Sequence, residues 1–222
     1  LHGVTNAQEV YAKLRQEILA YRLKPGAKLK IADLCEEMGV SNGAVREALS
    51  RLSADDLVTA RPQRGFIVAE MSRRDMSDLT KARILIENEC LAQAMANRDV
   101  DWESRIVASY HKLERLPERE PSDPARLSDA WVNAHAEFHN ALVANCANTW
   151  LLKIREQLYE KSERYRRLSV PLRKIKRAVN AEHKAIMNAA LANNQAKATT
   201  LMAEHLTLTS DILLASGLLQ DE

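Results

Sequence analysis

The chain has 222 residues, a net charge of +2, 46% hydrophobic and 28% charged residues. That length allows one large domain or two small ones, and the composition supports a buried core and excludes a disordered tail. No apolar run approaches the roughly 18 residues of a membrane span, and no charged leader with an apolar stretch opens the chain. Three scattered cysteines, Cys35, Cys90 and Cys146, contain no CxxC pair and form neither a disulfide framework nor a cysteine metal site. A cytoplasmic protein without a membrane partner is therefore expected, its cysteines acting as small buried hydrophobes. Six glycines and six prolines against abundant Ala, Leu, Glu, Lys and Arg predict a mainly α fold.

In chain order, Val10, Leu14, Ile18 and Leu19 recur at helical spacing and predict a helix from about Asn6 to Tyr21, ended by the Pro25-Gly26 turn. Ile31, Leu34, Cys35 and Met38 predict a second, short helix that Gly39 stops. Val45, Ala48, Leu49 and Leu52 mark a third, with Ser41 as its N-cap. Leu57–Arg61 and Phe66–Val68 are β-prone and flank a turn at Pro62-Gln63-Arg64-Gly65, which predicts a hairpin. Three helices and a hairpin over residues 1–70 form the layout of a winged helix-turn-helix. From Asp75 onward only helical patterns are read. The stretch from Pro117 to Pro124 is read as a loop, Asn148 as a helix cap, and Pro171 as the opening of another helix. Six helices over residues 71–222 predict an antiparallel α-helical bundle.

A helix that reads DNA presents polar side chains at its N-terminus to the major groove. Here that end carries Ser41, Asn42, Gly43 and Arg46. Ser and Arg suit phosphates, Asn pairs with adenine, Arg with guanine, and Gly43 allows close approach. Arg64 and Gly65 at the hairpin tip are candidates for the minor groove or a phosphate, and Lys28 and Lys30 for the DNA backbone. Charge does not decide between this and an ordinary charged surface, since residues 1–70 hold ten Lys/Arg and nine Asp/Glu. The order of elements favours DNA.

Leu23-Lys24-Pro25-Gly26-Ala27-Lys28-Leu29, Gly39-Val40-Ser41, Val45-Arg46-Glu47-Ala48-Leu49-Ser50-Arg51-Leu52 and Arg64-Gly65-Phe66-Ile67-Val68 resemble the DNA-binding domain of the GntR family of bacterial transcription regulators. The resemblance covers nearly all of residues 6–69. Asn42-Gly43-Ala44 stands where the family usually has Arg-Thr-Pro, so that family arginine is absent here, while Arg46 matches the second one.

In the C-terminal half, His135 and His139 are four apart and share one helix face, and His183 and His205 lie on two later helices. Four imidazoles from three helices can converge on one transition metal. The alternative is scattered core or surface histidines, the reading given to His2 and His111. The pair is not a zinc-protease motif, because Ala136 follows His135 and the glutamate, Glu137, comes one place later.

Leu79-Thr80-Lys81-Ala82-Arg83-Ile84-Leu85-Ile86-Glu87, Phe138-His139-Asn140-Ala141-Leu142, Glu182-His183-Lys184 and Glu204-His205-Leu206 resemble the FCD domain of the FadR subfamily of GntR regulators. The resemblance implies a divalent metal on His139, His183 and His205, with His135 in the place of the usual Asp. That exchange turns the expected metal away from manganese or magnesium toward zinc first and nickel second. It also implies a small carboxylate effector facing Arg83, whose alternative partner is Glu87, and a homodimer on double-stranded operator DNA. Residues 153–177 carry ten Lys/Arg against three Glu, either as a solvated face or with Arg164 reaching the effector's distal carboxylate. Ser162-Glu163-Arg164-Tyr165-Arg166-Arg167-Leu168, with His135 and Cys146, is similar to the branch containing the carbon-starvation regulator CsiR, which implies a dicarboxylate such as glutarate.

The function expected is therefore a ligand-responsive transcription regulator, a repressor rather than an enzyme. The alternatives are a regulator for which the metal itself is the signal and, remotely, a metal-dependent hydrolase with Glu137 as its base.

Overall fold

The computed structural model describes residues 6–61, 65–172 and 177–219. These fall into two compact units, divided between Ser72 and Arg73.

The first unit holds α1 (Asn6–Leu19), β1 (Lys28–Leu29), α2 (Ile31–Met38), α3 (Asn42–Ala54), β2 (Val58–Arg61) and β3 (Gly65–Val68). Its core is the stripe read from the sequence: Val10, Leu14 and Ile18 of α1 meet Val45, Leu49 and Leu52 of α3. Gly39 ends α2 with φ 64, a left-handed conformation that a side chain would strain. Ser41 Oγ accepts from the Ala44 amide and caps α3. The hairpin pairs Val58 with Val68 and Arg61 with Gly65. One strand was not expected. Lys28 and Leu29 pair with Ile67 and Phe66, making the sheet three-stranded in the order β1-β3-β2. Two residues are too few for an alternating pattern to show in sequence. Arg64 and the turn at Pro62 and Gln63 lie outside the described residues.

The second unit is α-helical: α4 (Arg73–Ala96), α5 (Val100–Arg115), α6 (Asp129–Leu142), α7 (Thr149–Leu172), α8 (Val179–Leu191) and α9 (Gln195–Leu214). Its core centres on Trp102, Ile106, Trp131, Phe138, Leu142, Ile186 and Met202. Asp99 caps α5 through the Trp102 amide at 2.7 Å, and Asn148 Oδ1 caps α7 through the amides of Trp150 and Leu151. Helix α4 packs on α7 and α9, α5 on α6 and α8, and α8 on α9.

Two expectations are corrected. The presumed loop contains a short antiparallel pair, β4 (Arg119–Glu120) and β5 (Asp123–Leu127). Arg119 holds it in place by donating to the Pro124 carbonyl at 2.6 Å and the Val170 carbonyl at 3.0 Å. Pro171 does not open a helix. It sits in the last turn of α7. The next helix begins at Val179. Among the described residues, no helix is long and apolar enough to cross a membrane.

Candidate metal and effector site, and the DNA-facing helix

Helix α6 buries one stripe, and that stripe is Trp131, Ala134, His135, Phe138, His139, Ala141 and Leu142. Two of its members are imidazoles, which need polar partners once water is removed. His183 of α8 and His205 of α9 come to the same place. The four rings offer ligand atoms that all lie within 4.8 Å of one another, and all four residues are buried. Adjacent ring centroids stand as close as 4.4 Å for His135 and His139 and 4.6 Å for His183 and His205.

Burial sets the protonation of the cluster. It pushes the His135 and His183 imidazoles well below the usual histidine range, and Arg166 and His205, respectively, push them the same way. Burial takes His139 down to about 3 despite Glu87 opposing it, and it lowers His205 against the pull of Glu182. All four are therefore neutral at pH 7 and keep a lone pair for a ligand. Neither nitrogen of His139 or of His183 has a hydrogen-bond partner. Buried polar atoms are rarely left so. The donor set suits a divalent transition ion: nitrogens on one tetrahedral ion stand about 3.3 Å apart, so the widest-set pair of rings closes by up to about 1.5 Å around it.

Behind two of the rings stand carboxylates. Glu182 Oε2 lies 2.8 Å from His205 Nδ1, and Glu87 Oε1 lies 3.6 Å from His139 Nδ1. The first is a hydrogen bond and the second is beyond hydrogen-bond length. Burial would raise the Glu87 carboxyl, but Arg155 overrides it and holds the group down at about 2. Burial likewise opposes ionisation of Glu182, which His205 and Arg177 hold at about 2. His135 Nδ1 faces the Tyr159 hydroxyl at 3.1 Å.

Above the rings is a cavity of about 20 Å³ lined by side chains of α4, α6, α7 and α9, among them Arg83, His135, His139, Tyr159, Arg166 and His205. Arg83 does not pair with Glu87. Its Nη1 donates to Ser162 Oγ at 2.8 Å, its guanidinium lies 5.3 Å from the Tyr159 ring centroid, and its buried Nε has no acceptor. Arg166 is held by Glu163, while its buried Nη1 has no acceptor. Two unsatisfied guanidinium N–H groups thus belong to residues lining one cavity, an arrangement suited to carboxylate oxygens.

Arg164 is half-buried on α7 and is not among the lining residues, whereas Arg166 is. Two residues along a helix is about 200° around it, so the two cannot share a face. The legible signal was Arg155 and Arg166, eleven apart and hence about three turns along one face. Glu87, Glu182, Arg155, Arg177 and Tyr159 were not singled out as parts of the site. Glu137 is exposed and ion-paired with Lys112 at 2.6 Å, so it is no general base for this cluster.

In the first unit, Ser41, Asn42, Gly43 and Arg46 are exposed at the start of α3. A Cβ on Gly43 would meet only Ser41 Oγ, at 3.9 Å, so the fold itself does not require glycine there. Arg46 Nε donates to Asn42 Oδ1 at 2.8 Å. Gly65 is exposed with φ 75, Lys28 is exposed on β1, and Lys30 lies 3.6 Å from Asp33.

Comparison with known proteins places these two units. Residues 6–68 match the family of bacterial regulatory proteins called gntR, and residues 78–208 match the FCD domain. The HTH-type transcriptional regulator BphR of Paraburkholderia xenovorans is 40% identical over 96% of this chain and 87% of its own length. The HTH-type transcriptional repressor GlaR of Escherichia coli is 33% identical over 88% of this chain and 90% of its own. The solved structure of E. coli McbR/YncC superposes with a TM-score of 0.71 at 22% identity, covering 96% of this chain and 99% of that one. These relatives are transcription regulators, not enzymes.

Proposed function

The chain belongs to the gntR family of bacterial regulatory proteins, with an FCD domain as its C-terminal unit, and from that premise we propose that it is a dimeric repressor governed jointly by a divalent metal and a small dicarboxylate. The observation that carries this reading is a cluster of four neutral, buried histidines, of which His135, His139 and His205 line one cavity together with Arg83 and Arg166, whose N–H groups are unsatisfied. Zinc is the expected ion, with nickel next, because imidazole donors favour both over magnesium or manganese. When bound, the ion supplies a positive charge and open coordination positions. The chain's own residues do the rest: the imidazoles hold the ion, and Arg83 and Arg166 orient an acid through paired N–H donors.

Transcriptional repression is the role stated for GlaR, and we extend it to this chain. Operators of two-fold symmetry call for a two-fold dimer. Exposed Leu85 on α4, Trp150 and Ile154 on α7 and Leu208 on α9 supply apolar surface for it on three helices that pack on one another. Acid binding between α4 and α7 changes how these helices pack and thereby biases the DNA-binding units.

A second reading, in which the metal alone is the signal, is favoured by the size of the cavity. About 20 Å³ holds one ion or water and no organic acid unless side chains move. Operator affinity that tracks free zinc with no acid present would select it.

The DNA half of the proposal is tested by fluorescence anisotropy on the fragment upstream of the protein's own gene. The wild-type chain is expected to prefer that fragment over random DNA, with log affinity falling linearly in log salt. Arg46→Ala is expected to cost about 1–3 kcal/mol of that preference. Binding to all DNA alike, unaffected by Arg46→Ala, contradicts the proposal.

A further inference from the structure

His139 and His205 each have an arginine-held carboxylate behind the ring, hydrogen-bonded to Nδ1 at His205 and 3.6 Å from Nδ1 at His139. On one side, Glu182 reaches His205 Nδ1 at 2.8 Å and is itself gripped by Arg177, with contacts of 2.7 and 2.5 Å. Arg177 also donates to the His205 carbonyl at 2.8 Å and to Thr209 Oγ1 at 2.9 Å. On the other side, Glu87 faces His139 Nδ1 and is gripped by Arg155 at 2.8 and 3.0 Å, with Arg155 in turn donating to Asn140 Oδ1 at 2.7 Å. The grips come from different elements, α7 for Arg155 and the stretch before α8 for Arg177.

Resting on the metal reading above, we propose that Glu87 and Glu182 are positioning residues that turn His139 and His205 toward the ion. Their arginines keep the carboxylate charges from neutralising that ion, so that the site recognises a dianion. A neutral imidazole has one N–H and one lone pair. A carboxylate at Nδ1 takes the N–H and leaves Nε2 as the donor to an ion. A bare carboxylate in that place would also lend the ion its negative charge. Here each is matched by an arginine, so each pair sums to zero, and the four imidazoles add nothing. Arg166 is matched by Glu163 in the same way. Among the described residues Arg83 pairs with no carboxylate, since its guanidinium goes to Ser162. A divalent ion and Arg83 therefore leave an excess of positive charge facing the cavity, and an anion carrying two charges answers it better than one carrying a single charge.

The two parts of the construction have opposite expected effects. Glu182→Gln keeps an acceptor for His205 but loses the charge, and it is expected to weaken Ni²⁺ binding by about 10–100-fold. Arg177→Met frees the Glu182 charge. It is expected to bind Ni²⁺ at least as tightly as wild type, while the Ni²⁺-loaded chain loses affinity for glutarate by roughly tenfold or more, within the ordinary range of coupling between sites. Arg177→Lys is expected to restore glutarate binding. Damage to the fold alone lowers both affinities together, so the opposite movement is diagnostic.

The measurements are chelator competition for Ni²⁺ and calorimetry with glutarate and with butyrate, on the full chain. Unchanged Ni²⁺ affinity in Glu182→Gln overturns the proposal. So does a parallel loss of Ni²⁺ and glutarate in Arg177→Met, or equal affinity of the loaded wild type for butyrate and glutarate. Failure of the underlying metal reading shows separately, as wild-type protein that binds no Ni²⁺. If Arg177→Met does not fold, Glu182→Gln and the butyrate comparison decide.

Discussion

Replacing His183 with alanine is expected to remove most of the thermal stabilisation that zinc or nickel gives the chain. His183 is fully buried, both its ring nitrogens lack partners, and its ring centroid lies 4.9 Å from that of His135 and 4.6 Å from that of His205. An ion at 1,000 times its dissociation constant stabilises the folded state by about 4.1 kcal/mol. For a unit of this size that raises the melting midpoint by about 8–16 °C. Without His183 one donor of four is gone, and the loss of affinity should exceed the roughly 10–100-fold that an outer partner costs. In the metal-free state the same substitution has two opposing consequences. It opens a cavity, which destabilises, and it removes two unsatisfied buried nitrogens, which relieves a penalty of about 1–3 kcal/mol. The metal-free midpoint should therefore move far less than the metal-dependent shift. His111 is the control: it is exposed, sits 3.3 Å from Glu114, and its alanine variant should keep the full shift. Differential scanning fluorimetry with and without a chelator reads all three.

The second large effect concerns the acid. Arg83→Met and Arg166→Ala should each weaken dicarboxylate binding to the metal-loaded chain by about 1.5–3 kcal/mol, or roughly 10–150-fold, since each removes a hydrogen bond to a charged group. Arg164→Ala should leave it unchanged. Arg166 can be removed without stranding its partner, because Glu163 also accepts from Arg167 Nε at 2.7 Å. Binding also requires space. The cavity as it stands is too small for an acid, and a swing of Arg83 from Ser162 toward the ligand is the movement expected to widen it and to give the orphan Nε an acceptor. Ser162→Ala frees that guanidinium in advance, so it should not weaken the acid. Titration calorimetry on the four variants measures these values.

The fold was largely legible in the sequence. The apolar stripes of α1, α3 and α6 and the stop at Gly39 are local signals, each set by one helix's own periodicity. The histidines were legible for the same reason, since His135 and His139 fall on the buried stripe of α6. What was not legible depends on contacts between distant segments. Glu87 was read against Arg83 because the two lie four apart, yet its partner is Arg155, 68 residues away. Glu182 and Arg177 resemble a surface ion pair until α9 brings His205 to them. Nothing local tells which face of α7 meets the cavity, so the sequence does not distinguish Arg166, which lines it, from Arg164. The strands β1 and β4 are two residues each, shorter than any periodicity can register.

Operator binding measured four ways tests the central claim most directly: metal-loaded or chelated protein, each with and without glutarate, by anisotropy on the upstream DNA fragment. Glutarate is expected to weaken DNA binding of the metal-loaded protein and to leave the chelated protein unaffected. An equal effect of glutarate on both forms, or no effect on either, would contradict it.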